Sequence, residues 1–80
     1  MSEFYFELIQ QFGELSKNEK GWTRDLTFIR WNGKSPKYDL RDWAPDRLKM
    51  GRGISMTTEE VIQLRGLLNG MDLDKSTEKK

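Results

Sequence analysis

The sequence predicts an α+β fold, in which a four-stranded antiparallel meander is followed by one C-terminal helix (β-β-β-β-α). Three observations support this prediction. Two stretches of strand-forming residues flank the dipeptide Asn32-Gly33, an extended glycine-containing segment follows them, and a capping signal at Thr57 precedes an amphipathic stretch. Strands that follow one another with short connections pair as neighbours, and a single helix then packs on the sheet. The 80 residues form one small domain.

The first strand is predicted in FYFELIQQFGELS, residues 4–16, which is rich in aromatic residues and interrupted by Gly13. Its apolar positions change parity, from Phe4, Phe6 and Leu8 to Ile9 and Leu15. A change of parity predicts a bend or bulge, because one extra residue shifts the following side chains to the other face. The polar stretch SKNEKG, residues 16–21, is expected to form the turn that follows.

The second and third strands are predicted to form a hairpin from TRDLTFIRW, residues 23–31, and KYDLRDW, residues 37–43. Asn32-Gly33 supplies residues that tolerate a positive φ, as hairpin turns require. Pro36 lengthens the connection and suits the start of a strand, because proline has no amide hydrogen to donate. Residues 44–46, Ala-Pro-Asp, end the third strand with a turn.

The fourth strand is predicted in KMGRGISM, residues 49–56, whose glycines indicate a bulge or a close backbone approach. Thr57 and Glu60 match a capping box, and Gly70 is expected to end the helix. The helix is expected to contribute apolar residues to the core or to a dimer interface: Val61, Leu64, Leu67, Leu68 and Met71. Residues 1–71 therefore form the domain, and the polar tail 72–80 is expected to be disordered.

Strand parity predicts which side chains share each face of the sheet. One helix of about twelve residues covers a single face, and Leu26, Phe28, Tyr38 and Leu40 are assigned to that side. Trp22 has the same parity and is assigned to the core. The opposite, open face is expected to carry Thr27, Ile29, Trp31, Lys37, Asp39, Arg41 and Trp43. A face with two tryptophans among its cations is too apolar to be exposed only to water. We therefore expect it to meet a ligand or a partner subunit.

Composition argues against an enzyme, a metal site and a cofactor. The chain has no histidine and no cysteine, which removes the commonest general base, the commonest metal ligand and any thiolate. Asp39 and Asp42 fall on opposite strand faces, and Asp39 is better explained by a surface ion pair with Arg41. The segment GRGIS lacks the pattern of a phosphate-binding loop. No apolar run is long enough to span a membrane, so a cytoplasmic protein without a small-molecule substrate is expected.

The charge is unevenly distributed along the chain. Residues 20–53 carry a net charge of +5 and all three tryptophans, whereas residues 1–19 carry −3 and residues 54–80 carry −1. Cations that follow the phosphates and aromatic rings that stack on bases are typical of single-strand nucleic-acid binding. Three other interpretations stay open: cations that merely solvate a strand, tryptophans in a dimer core or a cross-strand pair, and a protein-interaction module that docks a partner on the tryptophans.

The order of elements, together with YDLRDW and KMGRGISMTTEEVIQL, resembles the transcriptional coactivator positive cofactor four (PC4/p15) family. Within it, WNGKSPKYDLRDWAPDRLKMGRGIS is similar to the bacterial YdbC-type branch, and the resemblance covers roughly residues 4–70. The family has an arginine at the position of Arg41. Its eukaryotic members have their stacking tryptophan one position after Trp43, where this chain has Ala44, and they also carry a serine-rich extension that is absent here.

The resemblance implies a homodimer with curved sheets that binds single-stranded DNA with little sequence preference, in transcription, replication or repair. Such a protein would be cytoplasmic and associated with the bacterial nucleoid, and binding to RNA stays open. Stacking is expected on the two tryptophans of the open face, and phosphate contacts are expected from seven cations. The candidate nucleic-acid-binding residues are Trp31, Trp43, Arg41, Lys37, Lys34, Lys49, Arg52, Arg24 and Arg30.

Overall fold

The computed structural model describes residues 5–73 and has the predicted order of elements. The strands are β1 (Phe6–Lys17), β2 (Thr23–Trp31), β3 (Lys37–Trp43) and β4 (Met50–Met56), and the helix is α1 (Thr58–Asn69). The strands form one antiparallel sheet in the order β1-β2-β3-β4. The predicted meander with a C-terminal helix is therefore confirmed. Phe4 and most of the tail predicted to be disordered lie outside the described residues.

Strand β1 changes the face of its side chains three times, which confirms the predicted irregularity. Its register against β2 shifts between Leu8 and Gln10, between Gln11 and Gly13, and between Glu14 and Ser16. Each bulge adds a residue to one strand and increases its bend and twist. Three bulges in twelve residues therefore bend β1 strongly relative to the sheet.

The β2–β3 connection is a tight turn of the predicted kind. Asn32 has a φ of 49° and Gly33 a φ of 76°, and the Lys34 amide donates to the Trp31 carbonyl at 2.9 Å. Two successive positive φ angles are the mark of a type I′ turn, whose twist matches that of the flanking strands. Beyond the turn the strands pair with Ile29 opposite Lys37 and Leu26 opposite Leu40, one residue further along β3 than a two-residue turn alone gives.

The β3–β4 connection is also built from local hydrogen bonds. The Arg47 amide donates to the Ala44 carbonyl, and Asp46 Oδ1 accepts from the Leu48 amide at 2.8 Å. This hydrogen bond from Leu48 lowers the pKa of the Asp46 carboxyl. The predicted turn at residues 44–46 is confirmed, and the register shift between Arg41 and Trp43 confirms the irregularity predicted for β4.

Helix α1 begins and ends where the sequence predicts. The Glu60 amide donates to Thr57 Oγ1 at 3.1 Å, and the Thr57 amide donates to Glu60 Oε1 at 2.8 Å, which completes the capping box. At the C-terminal end, the Gly70 amide donates to the Leu67 carbonyl and the Met71 amide donates to the Leu68 carbonyl, each at 3.1 Å. No helical side chain is fully buried, although Val61 and Leu64 are half-buried, so the role of the stripe in the core or in a dimer interface stays a prediction.

The two faces of the sheet have the predicted residues but not the predicted exposure. On the helix face, Leu26, Phe28, Tyr38 and Leu40 are only half-buried, because α1 contacts β3 and β4 alone. The opposite face, which we call the tryptophan face, was expected to be open. It instead holds the most buried side chains in residues 5–73, and these are Ile29, Thr27, Asp25, Asp39 and Trp43.

The physical reason for this difference is the bend in β1. Phe6 lies opposite Trp31 in the register, yet its ring also contacts Trp43 on β3 at a centroid distance of 5.5 Å. Strand β1 therefore covers the tryptophan face from one edge. The tryptophan face, which was predicted to be open, is therefore concave and partly covered by β1, whereas the helix face exposes much of its apolar surface. Trp22, assigned to the core by its parity, is half-buried just before β2.

Gly53 gives a direct test of this packing. A Cβ at Gly53 would overlap the Leu40 carbonyl oxygen and Arg41 Cβ, whereas a Cβ at Gly66 in α1 would meet nothing within 4 Å. We expect Gly53→Ala to lower the free energy of unfolding by about 1–3 kcal/mol, because the strands must separate. Gly66→Ala should raise it by up to about 1 kcal/mol, because alanine favours the helix. Urea denaturation measures both, and equal effects would contradict the close approach.

Candidate nucleic-acid interface

The centre of the tryptophan face is organised by the carboxylate of Asp39, which is fully buried. Arg41 Nε donates to Asp39 Oδ2 at 2.8 Å and Arg41 Nη2 donates to Asp39 Oδ1 at 3.0 Å. Ser55 Oγ on β4 donates to Asp39 Oδ1 at 2.9 Å and accepts from Trp31 Nε1 at 3.2 Å. One carboxylate therefore connects β2, β3 and β4 through side chains alone.

This network also fixes the position of a cation above an aromatic ring. The guanidinium carbon of Arg41 lies 4.8 Å from the centroid of the Trp31 ring, and Arg41 Nη1 donates to the Gly51 carbonyl at 3.4 Å. A guanidinium over tryptophan is attracted by the ring quadrupole. The expected surface ion pair of Asp39 and Arg41 is corrected, since the Arg41 side chain is only 18% exposed. A buried bidentate pair of this kind is costly to break by removing one partner.

Trp43 is placed differently from the expectation. It is 3% exposed and its ring meets the edge of Phe6, so neither ring face is offered to a base. Trp31 is half-buried, and it is tilted at 53° to Phe6 with a centroid distance of 6.0 Å. The stacking surfaces that this face offers are therefore Trp31 and the guanidinium plane of Arg41.

A second buried carboxylate, Asp25, lies on the same face nearer β1. Arg47 Nη1 donates to Asp25 Oδ2 at 2.8 Å and to Thr23 Oγ1 at 3.0 Å, and Gln11 Nε2 donates to Asp25 Oδ2 at 2.6 Å. None of these residues was predicted from the sequence to belong to the site. No local signal marks them, because Arg47 reaches Asp25 from a loop 22 residues away.

Two predicted cations are held by acids on or near the helix face. Arg24 Nε donates to Asp42 Oδ1 at 2.9 Å, and this hydrogen bond lowers the pKa of the Asp42 carboxyl. Arg30 Nη1 lies 3.7 Å from Glu7 Oε1. The register places Arg24 and Arg30 on the side opposite Arg41, so these two cations do not join the tryptophan face.

The remaining predicted cations are exposed and form no ion pair within residues 5–73. Lys34 lies in the β2–β3 turn, and Lys37 lies opposite Ile29 on the tryptophan face. Lys49 precedes β4, and Arg52 on β4 lines a cleft together with Arg24, Leu40 and Arg41. The structure thus brings Lys37, Arg41 and Trp31 together at the end of the sheet that carries Lys34.

Neither a carboxylate pair nor a cluster of metal ligands is present in the described residues. Asp39 and Asp42 have separate arginine partners, as their opposite parity predicts. Residues 5–73 contain no group of three or more side chains that could hold a metal ion. No helix in this part of the chain is long and apolar enough to cross a membrane.

Comparison with known proteins identifies the family of the chain. Residues 18–67 match the family model of the transcriptional coactivator p15 (PC4). The chain belongs to this family. It is also 46% identical over 72 residues to an uncharacterized protein of Treponema pallidum (strain Nichols), a match that spans 90% of this chain and 85% of that protein. The family resemblance read from the sequence is therefore confirmed, and the family is one of nucleic-acid-binding proteins without enzymatic activity.

Proposed function

We propose that the protein binds single-stranded DNA as a homodimer, with little sequence preference, in bacterial transcription, replication or repair at the nucleoid. The observation that carries the proposal is the arrangement on the tryptophan face within the family-matched segment. There Arg41 is held over Trp31, with the exposed cation Lys37 nearby. Cations that follow the phosphates and a stacking surface suit a single strand, whose bases are accessible, better than a duplex.

The shape of the face supports the same proposal. The carboxylates of Asp39 and Asp25 are buried and bonded to arginines, and this network holds Arg41 and Trp31 in position before a ligand binds. A preorganised site loses less conformational entropy on binding. The bases would stack against Trp31 and Arg41, and the phosphates would meet Lys34, Lys37 and the other exposed cations.

The homodimer is supported by the exposed apolar surface around α1. Only Ile29, Trp43, Ala44 and Met56 form the buried apolar core of residues 5–73, which is small for an independent domain. A cavity of about 280 Å³ lies between α1 and the helix face, and a second of about 440 Å³ lies between α1 and β4. Both are lined mainly by apolar residues. A second copy of the chain that packs there would bury the stripe predicted from the sequence: Val61, Leu64, Leu67, Leu68 and Met71.

The salt dependence of binding tests the DNA proposal. We expect a fluorescein-labelled oligo-dT to bind in an anisotropy titration, with a binding constant that falls steeply as salt rises. The double change Lys34→Gln and Lys37→Gln should reduce the slope of log K against log salt by about 1.4, because each lost phosphate contact on a single strand removes about 0.7.

The matched control is Lys20→Gln. Lys20 lies in the β1–β2 turn, at the opposite end of β2 from Lys34, and should leave the slope unchanged. A wild-type slope near zero, or tighter binding to duplex than to single strand, would contradict the proposal. The first outcome would instead favour the protein-interaction module that docks a partner on an apolar face. A matched oligo-rU separates DNA from RNA binding.

The dimer proposal is tested by a charge placed on the helix. Leu67 is 68% exposed and lines the cavity beside β4, so Leu67→Glu should leave the fold of one chain intact and convert a dimer into monomers. Sedimentation velocity measures the mass and circular dichroism checks the fold. Leu48→Glu, at a site that is 78% exposed in the β3–β4 loop, is the control that should stay dimeric. A monomeric wild type would contradict the proposal.

A further inference from the structure

A small cavity with mixed apolar and polar walls lies on the tryptophan face, beside the carboxylate of Asp25. Its volume is about 100 Å³, and its inner walls include Asp25, Thr27 and Trp43. Phe6 also lines it, and the exposed residues Leu8, Gln11 and Arg47 complete the lining on the solvent side. The cavity therefore opens to solvent between β1 and the β3–β4 loop, on the concave side of the sheet.

Three polar atoms in the walls have no hydrogen-bond partner in the protein: Asp25 Oδ1, Thr27 Oγ1 and Trp43 Nε1. Asp25 and Thr27 are each 1% exposed, and Trp43 is 3% exposed. In residues 5–73, one other buried side-chain atom, Arg30 Nε, also lacks a partner. Buried polar groups are nearly always hydrogen-bonded. Three such atoms in the walls of one cavity therefore indicate a polar occupant, which water can replace in the free protein.

The chemistry of the three atoms defines the occupant. Asp25 Oδ2 already accepts from Gln11 and Arg47, so Oδ1 remains as one acceptor. Trp43 Nε1–H is a donor, and the Thr27 hydroxyl can also donate. An imide has the complementary pattern, since one N–H lies between two carbonyls. A cavity of about 150 Å³ accepts benzene, so about 100 Å³ admits the edge of a single ring but not a whole base.

We propose that this cavity binds the imide edge of one thymine base of the single strand. The thymine N3–H donates to Asp25 Oδ1, and its two carbonyls accept from Trp43 Nε1–H and the Thr27 hydroxyl. Arg47 Nε and Nη2 make no hydrogen bond within residues 5–73, and the side chain is 45% exposed, so its guanidinium can meet the phosphate of that nucleotide. The proposal rests on the proposed function and adds a local base preference to it. It also gives Trp43 a role other than stacking.

The test compares oligo-dT with the same oligomer built from N3-methylthymine. The methyl group removes the imide N–H but keeps the ring face and the phosphates. We expect the wild-type protein to bind oligo-dT about tenfold more tightly than the methylated strand in anisotropy titrations. If both strands bind equally well, the cavity proposal is overturned and the proposed function stands. If neither strand binds, both fail.

Variants that remove a hydrogen-bond donor from the cavity test whether the preference for unmethylated thymine arises there. Thr27→Val and Trp43→Phe each remove one donor, and the double variant should reduce the tenfold preference to about twofold or less. Trp22→Phe, the same kind of change outside the cavity, should keep the full preference. Since Trp43 is buried, circular dichroism must show a folded protein. If the double variant does not fold, Thr27→Val alone should reduce the preference to about threefold, and an unreduced preference there overturns the proposal.

Discussion

The buried carboxylate of Asp39 is the interaction on which the tryptophan face depends. It accepts two hydrogen bonds from Arg41 and one from Ser55, which in turn holds the indole of Trp31. A buried carboxylate is tolerated only when it is paired and hydrogen-bonded, so these partners are tightly constrained. The same constraint places the Arg41 guanidinium over Trp31. The packing of this face and the proposed binding of a ligand thus use the same side chains.

The bulges in β1 decide which face of the sheet forms the core. Three bulges bend β1 so that Phe6 reaches Trp43, and the face without the helix becomes the better-buried one. Helix α1 is left with an apolar stripe that the single chain does not cover. A small chain in this condition gains stability from association. In the proposed dimer, the helix face would pack against the second copy and the concave face would stay free for a ligand.

Local signals in the sequence were sufficient for the elements and the two faces. Asn32-Gly33 set the hairpin turn, the Thr57–Glu60 capping box set the start of the helix, and alternation placed Trp31 and Arg41 together. The burial of Trp43 was not predictable, because it depends on how far β1 bends. Arg47 was missed for a similar reason, since its contact with Asp25 joins a loop to a distant strand. Such contacts leave no periodic pattern in the sequence.

The most direct measurement of the central claim is an NMR titration with oligo-dT that follows the side-chain N–H signals of tryptophan and arginine. If the tryptophan face binds the strand, the Trp31 Nε1–H and Arg41 Nε–H signals shift together and saturate at one stoichiometry. The signal of Trp22, which lies before β2 near Gly51, should stay in place. Shifts of Trp22 and of the α1 amides, with Trp31 and Arg41 unchanged, would contradict the account.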